Sequence, residues 1–307
     1  MSEVPDVLYK YRDWGDEYHR RILTHREIFF APSDSFNDPF DCTIQPKINP
    51  AKADEKAMLE RAYEVLRFHH PLVPEDQLRA KATARMRSPA YNDRAERRAW
   101  LREFERVRRD CFGIVSLTAL PDHNLMWSHY ACAHTGFCVG LDVQKLTEDE
   151  AVLQRVNYVS QYPDWEYLDL PMSIGQFILD AVTTKSLDWA YESEWRLLKA
   201  TKGRHESLTD RDRTVKLPSG AIREVYMGCR MPKEKREEIL DALRAYGDSV
   251  RVFAAKAERS FDLTFEELPW KNGRHRAHRE VRQMKRSQSA KGPLTRRGSK
   301  RSSRERG

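Results

Sequence analysis

A chain of 307 residues with a formal charge of +7 is long enough for two domains, but its charge is unevenly spread. Residues 271–307 hold 14 Lys or Arg against two acids, a charge of +12, so residues 1–270 carry −5. The basic excess therefore belongs to a tail and predicts no basic cleft in the body. No run approaches the ~20 apolar residues of a membrane span, and five cysteines without a Cys-x-x-Cys pair argue against a disulfide framework.

These features predict one α+β body over 1–270, a mixed or antiparallel sheet with peripheral helices, a helical insertion at about 51–110, and a disordered basic tail over 271–307. The tail is rich in Ser, Gly and Arg and too poor in apolar residues to order itself. It is the expected route to nucleic acid, because clustered cations attract phosphates without regard to sequence. Truncation after Trp270 should leave the melting temperature nearly unchanged and remove most salt-sensitive binding. Undiminished DNA binding by the truncated chain would contradict this. Unpaired cysteines and the lack of an apolar leader suit a cytoplasmic protein.

In chain order, Val7–Arg12 reads as a strand, Asp16–Arg26 as a helix turning Tyr18, Ile22 and Leu23 inward, and Glu27–Ala31 as a second strand. Ser33-Asp-Ser-Phe-Asn-Asp-Pro-Phe-Asp41 is dense in residues that bond their own backbone, which predicts either a plain turn or a loop lining a pocket. Charged helices follow, broken at Pro71, Pro74 and Pro89, with Leu59, Tyr63, Leu66, Trp100, Phe104, Val107 and Cys111 at helical spacing. Gly113–Thr118 and Gly136–Val143 read as strands around a loop and short helix over Pro121–Ala131, and the glycines of the second strand suggest close approach of a backbone or ligand. Val152–Val159 reads as a strand and Ser173–Trp189 as a helix. Strands at 214–218, 222–228, 250–257 and 261–268, with a helix over 233–246, complete the body.

The candidate site centres on Glu192-Ser-Glu194. On a strand, side chains two apart share a face, so the carboxyls are expected side by side, with one kept basic or sharing a proton. Trp189, Trp195 and Arg196 flank them; the competing reading is a solvated pair with Arg196 or Lys199. Lys185 would either hold a phosphate or neutralise Glu192.

Leu8-Tyr-Lys-Tyr-Arg12, Ser35-Phe-Asn-Asp-Pro-Phe40, Met126-Trp-Ser-His-Tyr-Ala131 with Gly136-Phe137, Trp189-Ala-Tyr-Glu-Ser-Glu-Trp-Arg196 and Glu224-Val-Tyr-Met-Gly228 together resemble the bacterial family known as domain of unknown function 2971. That resemblance implies no activity, though it is compatible with a toxin or phage-defence setting. The order Arg12, Ser116-Leu-Thr118, Glu192-Ser-Glu194 is also similar to mono-ADP-ribosyltransferases. That likeness implies NAD as substrate rather than as a permanently bound cofactor. It implies Arg12 and Tyr11 on the nucleotide, Ser116 and Thr118 as props, His129 and Tyr130 on the wall, and Glu194 with Glu192 as catalytic carboxyls. The middle motif departs from that family's usual Ser-Thr-Ser. The likeness also makes a geometric demand: Arg12 and Glu194 must line one cleft, with Ser116 on its floor and Tyr130 or Trp127 on its wall. Arg12 on the far side of the sheet would remove the transferase reading and favour a non-enzymatic binding module.

His123, His129, Cys132, His134 and Cys138 crowd one segment, but their spacing fits no usual zinc pattern and no metal is expected. A Cys-His nucleophile pair from the same residues would require a geometry that proximity in sequence does not provide. Trp127, Tyr130, Trp189, Tyr191 and Trp195 read as core, with stacking on a ring or base as the functional alternative. A nuclease ranks third, for want of a metal-ligand set beside the acids.

Overall fold

The computed structural model describes residues 3–45, 55–70, 72–87, 94–148, 151–163, 174–201, 206–259 and 261–269. The expected tail lies outside them. In the first half are β1 (Val7–Arg12), α1 (Glu17–Thr24), β2 (Glu27–Phe29), α2 (Glu55–His69), α3 (Glu75–Arg87), α4 (Arg94–Asp110), β3 (Phe112–Thr118), α5 (Asn124–Tyr130), β4 (Phe137–Asp142) and α6 (Val143–Leu146). The second half contributes β5 (Val152–Arg155), β6 (Asn157–Val159), α7 (Ile174–Val182), β7 (Thr184–Ser186), β8 (Glu194–Ala200), α8 (Asp210–Arg213), β9 (Thr214–Lys216), β10 (Ile222–Met227), α9 (Lys233–Leu243), β11 (Arg251–Ala257) and β12 (Leu263–Glu267).

Eight strands form one sheet in the order β12-β11-β10-β4-β1-β3-β8-β5, antiparallel except for the parallel β10–β11 pair, with helices around it. The fold is α+β with a mixed sheet. One face carries the main core, where Leu8, Val115, Leu117, Val139, Leu141, Trp195 and Leu197 meet Ile22 and Leu23 of α1 and Ile239 and Leu243 of α9. Asp16 caps α1 by accepting from the Tyr18 and His19 amides, which satisfies two donors the helix leaves open. The opposite face carries two apolar clusters. Tyr11, Trp127, Cys138, Tyr226 and Phe253 form the first. Cys42, Phe104, Ile114, Phe177, Ile178 and Leu198 form the second. The polar residues of β3 and β8 lie between them.

Several expected boundaries shift. Tyr18 is exposed while Ile22 and Leu23 are buried, because α1 turns only a narrow stripe inward. The expected single strand at 152–159 is two, broken at Val156, whose amide donates to Glu194 O at 3.0 Å. The helix expected to reach Trp189 ends at Val182, followed by β7 and a 3-10 turn over Leu187–Glu192. The β-branched pair Thr183-Thr184 caps that helix instead of continuing it, with both hydroxyls on Asp180 O or Leu179 O. Pro74 stands between α2 and α3 as expected, Pro71 and Pro89 lie outside the described residues, and α2 with α3 builds a small core of its own from Ala62, Tyr63, Leu78 and Ala82.

Gly136 is a point of close backbone approach: a Cβ there would lie 2.2 Å from Arg12 O. Next to it, Cys132, Ala133 and His134 all have positive φ (49°, 50° and 69°), a left-handed turn that side chains favour only when the surroundings impose it. His134 O, which accepts from Arg230, and the packing of Trp127 hold that turn in place. It fixes the end of α5, and so the position of Tyr130.

Candidate active site

Glu192 ends the 3-10 turn, Ser193 takes a left-handed conformation (φ 45°), and Glu194 opens β8. The two glutamates are therefore not on one strand, as expected, and neither is solvated: both are buried. The turn nevertheless brings their carboxyls to one point. Lys185 Nζ on β7 donates to Glu192 Oε2 at 2.7 Å and to Glu194 Oε2 at 3.1 Å, and lies 3.4 Å from Asp41 Oδ2. Arg196, fully buried, donates to Glu194 through Nε (2.9 Å) and Nη2 (3.2 Å), to Asp41 Oδ2 at 2.7 Å and to Val182 O at 2.5 Å. Lys199, the other expected partner, bonds to Asp212 O instead. The neutralising role expected of Lys185 is the one it fills, although it sits on a strand and not on a helix.

Five buried ionisable groups thus share one site, two cations against three carboxyls. Taking charge out of water is costly, so the odd carboxyl must shed charge. Burial pushes Glu192 above its ordinary value; Lys185 and Tyr130 oppose the shift, and Glu194 adds to it. For Glu194 burial acts the same way, but Arg196 and Lys185 outweigh it and hold the carboxyl down to about 2. Burial also works against Lys185, whose ammonium is nonetheless held charged by Glu194, Glu192 and Asp41. A depressed carboxyl contributes stability that is complete above its unfolded value and lost as pH falls through its folded value. The stability that Glu194 contributes should therefore be lost progressively as pH falls from 4.5 toward about 2, and Glu194→Gln should flatten the acid limb of an unfolding-versus-pH curve. Parallel acid limbs would contradict this.

Thr118 Oγ1 donates to Glu192 O at 2.6 Å and accepts from Leu120 N at 3.1 Å, so it supports the turn that carries Glu192. Ser116 faces the Glu194 carboxylate closely enough to help lower its pKa, yet its buried hydroxyl completes no well-formed hydrogen bond. Tyr158 Oη accepts from Glu194 N at 2.9 Å. Tyr130 Oη donates to Glu192 Oε1 at 2.5 Å, and burial together with Glu192 keeps the phenol protonated. Tyr130 is only half-buried, which makes it the group of this network that faces outward. Around it stand exposed His129 (6.2 Å between ring centroids) and Tyr191, with Trp189 and His123 near Tyr191 at 6.1 and 5.5 Å.

Arg12 does not join this site. Tyr9 pairs with Thr118 and Thr118 with Glu194, and partners across a ladder share a face. Ser116, Thr118, Glu194 and Arg196 therefore share a face with Tyr9 and Tyr11, while Lys10 and Arg12 point the other way with Leu8. The expectation that Arg12 and Glu194 line one cleft is corrected by this register. Arg12 lies near Asp16 instead, and burial pulls it down to about 10. Lys10 is the β1 cation nearer the acids. β1 and β3 pair only at Tyr9–Thr118, and Lys10 Nζ donates into the gap, to Ser116 O, at 2.6 Å. Burial and Arg12 drive its pKa down, against Glu194 and Glu192. Tyr11 is buried among aromatics, donates to Leu120 O at 2.7 Å and touches Trp127 edge-on at 5.1 Å, so it is scaffold.

Asp41 was missed as a member of the site. Its signal was the Phe-Asn-Asp-Pro-Phe-Asp turn, which does line the site: Asp38 bonds the Phe40 amide, and the turn delivers Asp41 to Arg196. Phe36 of the same turn covers the Arg196 guanidinium at 5.1 Å. Of the crowded His and Cys residues, Cys138 is buried in the aromatic cluster and Cys132 is exposed; all five cysteines are free. A cavity of about 820 Å³ lies elsewhere, lined by Phe30, Leu146, Leu197, Val215 and Leu217 and by none of the acid network. No described helix is long and apolar enough to cross a membrane.

Residues 126–197 match the family model described as protein of unknown function (DUF2971). The matched segment contains Tyr130, Lys185, Glu192, Glu194 and Arg196, and leaves out Asp41, Ser116 and Thr118. No curated protein and no solved structure matches the chain.

Proposed function

We propose that the protein is an enzyme of glycosyl-transfer type, with Tyr130 and Glu192 as its proton-transferring couple and Glu194 as its fixed negative charge. One observation carries the reading: a single ammonium holds two neighbouring carboxyls whose pKa values are driven apart, Glu192 up and Glu194 down. Carboxyls split in this way suit opposite roles, one as acid and one as stabiliser of developing positive charge. Tyr130 donates its proton to the leaving group and takes one from Glu192. As the acceptor attacks the anomeric carbon, its proton passes back to Glu192, and the cycle closes. Tyr191, His129 and Trp189 offer ring faces on which an aromatic leaving group can stack.

ADP-ribosyl transfer from NAD is the specific form suggested by the likeness of the motifs. With Arg12 turned away and Arg196 occupied by Glu194 and Asp41, the pyrophosphate lacks the arginine that this form demands, and the NAD reading gives way to the broader one. The test is leaving-group release from aryl glycosides, nucleosides and NAD, for the wild type and Glu194→Gln. Release that is lost in the variant supports the enzyme, and release of nicotinamide would restore NAD as donor.

The rival is a binding module without chemistry, its basic tail (271–307) engaging nucleic acid. Two observations favour it: Arg12 lies on the sheet face opposite Glu194, the outcome expected of a binding module, and each charge of the acid network has a partner inside the protein. It predicts that Glu194→Gln loses stability and has no activity to lose.

A further inference from the structure

Outside the acid network, the exposed ridge of α4 carries a row of arginines. The helix's inward side buries Phe104 against Phe177 and packs Val107 on the same cluster, with Arg108 buried beside them. Arg98, Arg102, Arg106 and Arg109 follow one another at four-, four- and three-residue spacing, which puts them in one row on a helix. Arg98, Arg102 and Arg109 are exposed, and exposed Ala99 lies in the same row. Arg106 is paired with Glu103 at 2.8 Å and Arg109 with Asp110 at 2.7 Å. Arg98 and Arg102 have no hydrogen bond or ion pair among the described residues. Like charges four residues apart on a helix repel, and Arg98 and Arg102 stand as uncompensated charge on a body, residues 1–270, that is acidic as a whole.

We infer that the α4 ridge is a docking surface for the phosphate backbone of a nucleic-acid duplex. The guanidinium fork matches phosphate oxygens two at a time, which a lysine row would not. Four residues of helix rise about 6 Å, near twice the ~3.4 Å axial spacing of phosphates along one duplex strand. Successive arginines can therefore meet alternate phosphates without bending the helix. The ridge lies on the folded body, so it would give register to an attraction that a basic tail supplies without any.

The test keeps the full chain and reads contact at the ridge itself. A photoreactive phenylalanine analogue replaces Ala99, and a labelled duplex of about 20 base pairs is irradiated with the protein between about 50 and 200 mM salt. The expected result is a crosslink that falls steeply with salt and drops about tenfold in the Arg98→Ala/Arg102→Ala background, with an unchanged melting temperature. Its slope against log salt should fall by about two, near 0.9 per lost phosphate contact. A crosslink indifferent to the two substitutions would overturn the inference. So would displacement by polyglutamate as effective as by unlabelled duplex, which would assign the ridge to an acidic protein.

Discussion

Tyr130→Phe should lower turnover by roughly 10²–10⁴-fold, the range of a lost general acid–base group, and leave the fold intact. The substitution removes one oxygen, the one that donates to Glu192 Oε1 at 2.5 Å, and keeps the ring that packs beside the aromatic cluster. Glu192→Gln should cost a similar factor, because the amide cannot cycle a proton. The double variant should be little worse than either single one, since groups acting as a unit are not additive. The loss should fall on kcat more than on KM, because ring contacts with the substrate remain. Steady-state kinetics on whichever donor the release assay identifies would measure this. Wild-type turnover by Tyr130→Phe would exclude the phenol from the chemistry.

Arg196→Met should be the most destabilising single change in the network. It leaves Glu194 and Asp41 buried without their shared guanidinium and removes the donor to Val182 O. Breaking a buried ion pair by deleting one partner costs about 3–5 kcal/mol, which for a body of this size lowers the melting temperature by roughly 10 °C. Adding Asp41→Asn should recover part of the loss, because it removes one of the stranded charges. Arg109→Ala, at an exposed pair, should leave the melting temperature unchanged. A melting temperature for Arg196→Met within a degree or two of wild type would show that the network contributes little to the fold.

The two expectations have a common origin in how the sequence places these residues. Alternation and turn residues made most elements legible: β1, β3 and β4 are short and carry β-branched or aromatic residues, and Pro74 stands between α2 and α3. The break after Val182 was not legible, because Thr183, Thr184 and Lys185 continue the polar and apolar pattern of a helix. Only the hydroxyl bonds to Asp180 O and Leu179 O show why it stops. The same break decided the fate of Glu-x-Glu. Period-two spacing predicted neighbouring carboxyls, and they are neighbours, through a left-handed Ser193 and a shared lysine instead of a common strand. Ser116, Thr118 and Tyr130 meet the acids as their motifs suggested.

Arg12 failed the geometric expectation for a reason sequence order cannot reveal. Two strands can be neighbours and still present a given residue to either face, since one step of register exchanges the faces. Asp41 went unrecognised because its turn marks a pocket wall without showing which residue it meets, and Arg196 lies 155 positions away.

Two carboxyls that share one lysine are held apart in acidity by burial at Glu192 and by Arg196 at Glu194, and this difference can be measured without knowing any substrate. Selective carbon-13 labelling of glutamate side chains, with Glu192→Gln and Glu194→Gln to assign the resonances, would follow both carboxyls through a pH titration. The account predicts that Glu192 titrates above the ordinary 4.5 and Glu194 at about 2. Tyr130→Phe should move Glu192 higher still, because the phenol bond favours its ionised form. Two carboxyls titrating together near 4.5, or Glu192 below Glu194, would contradict it.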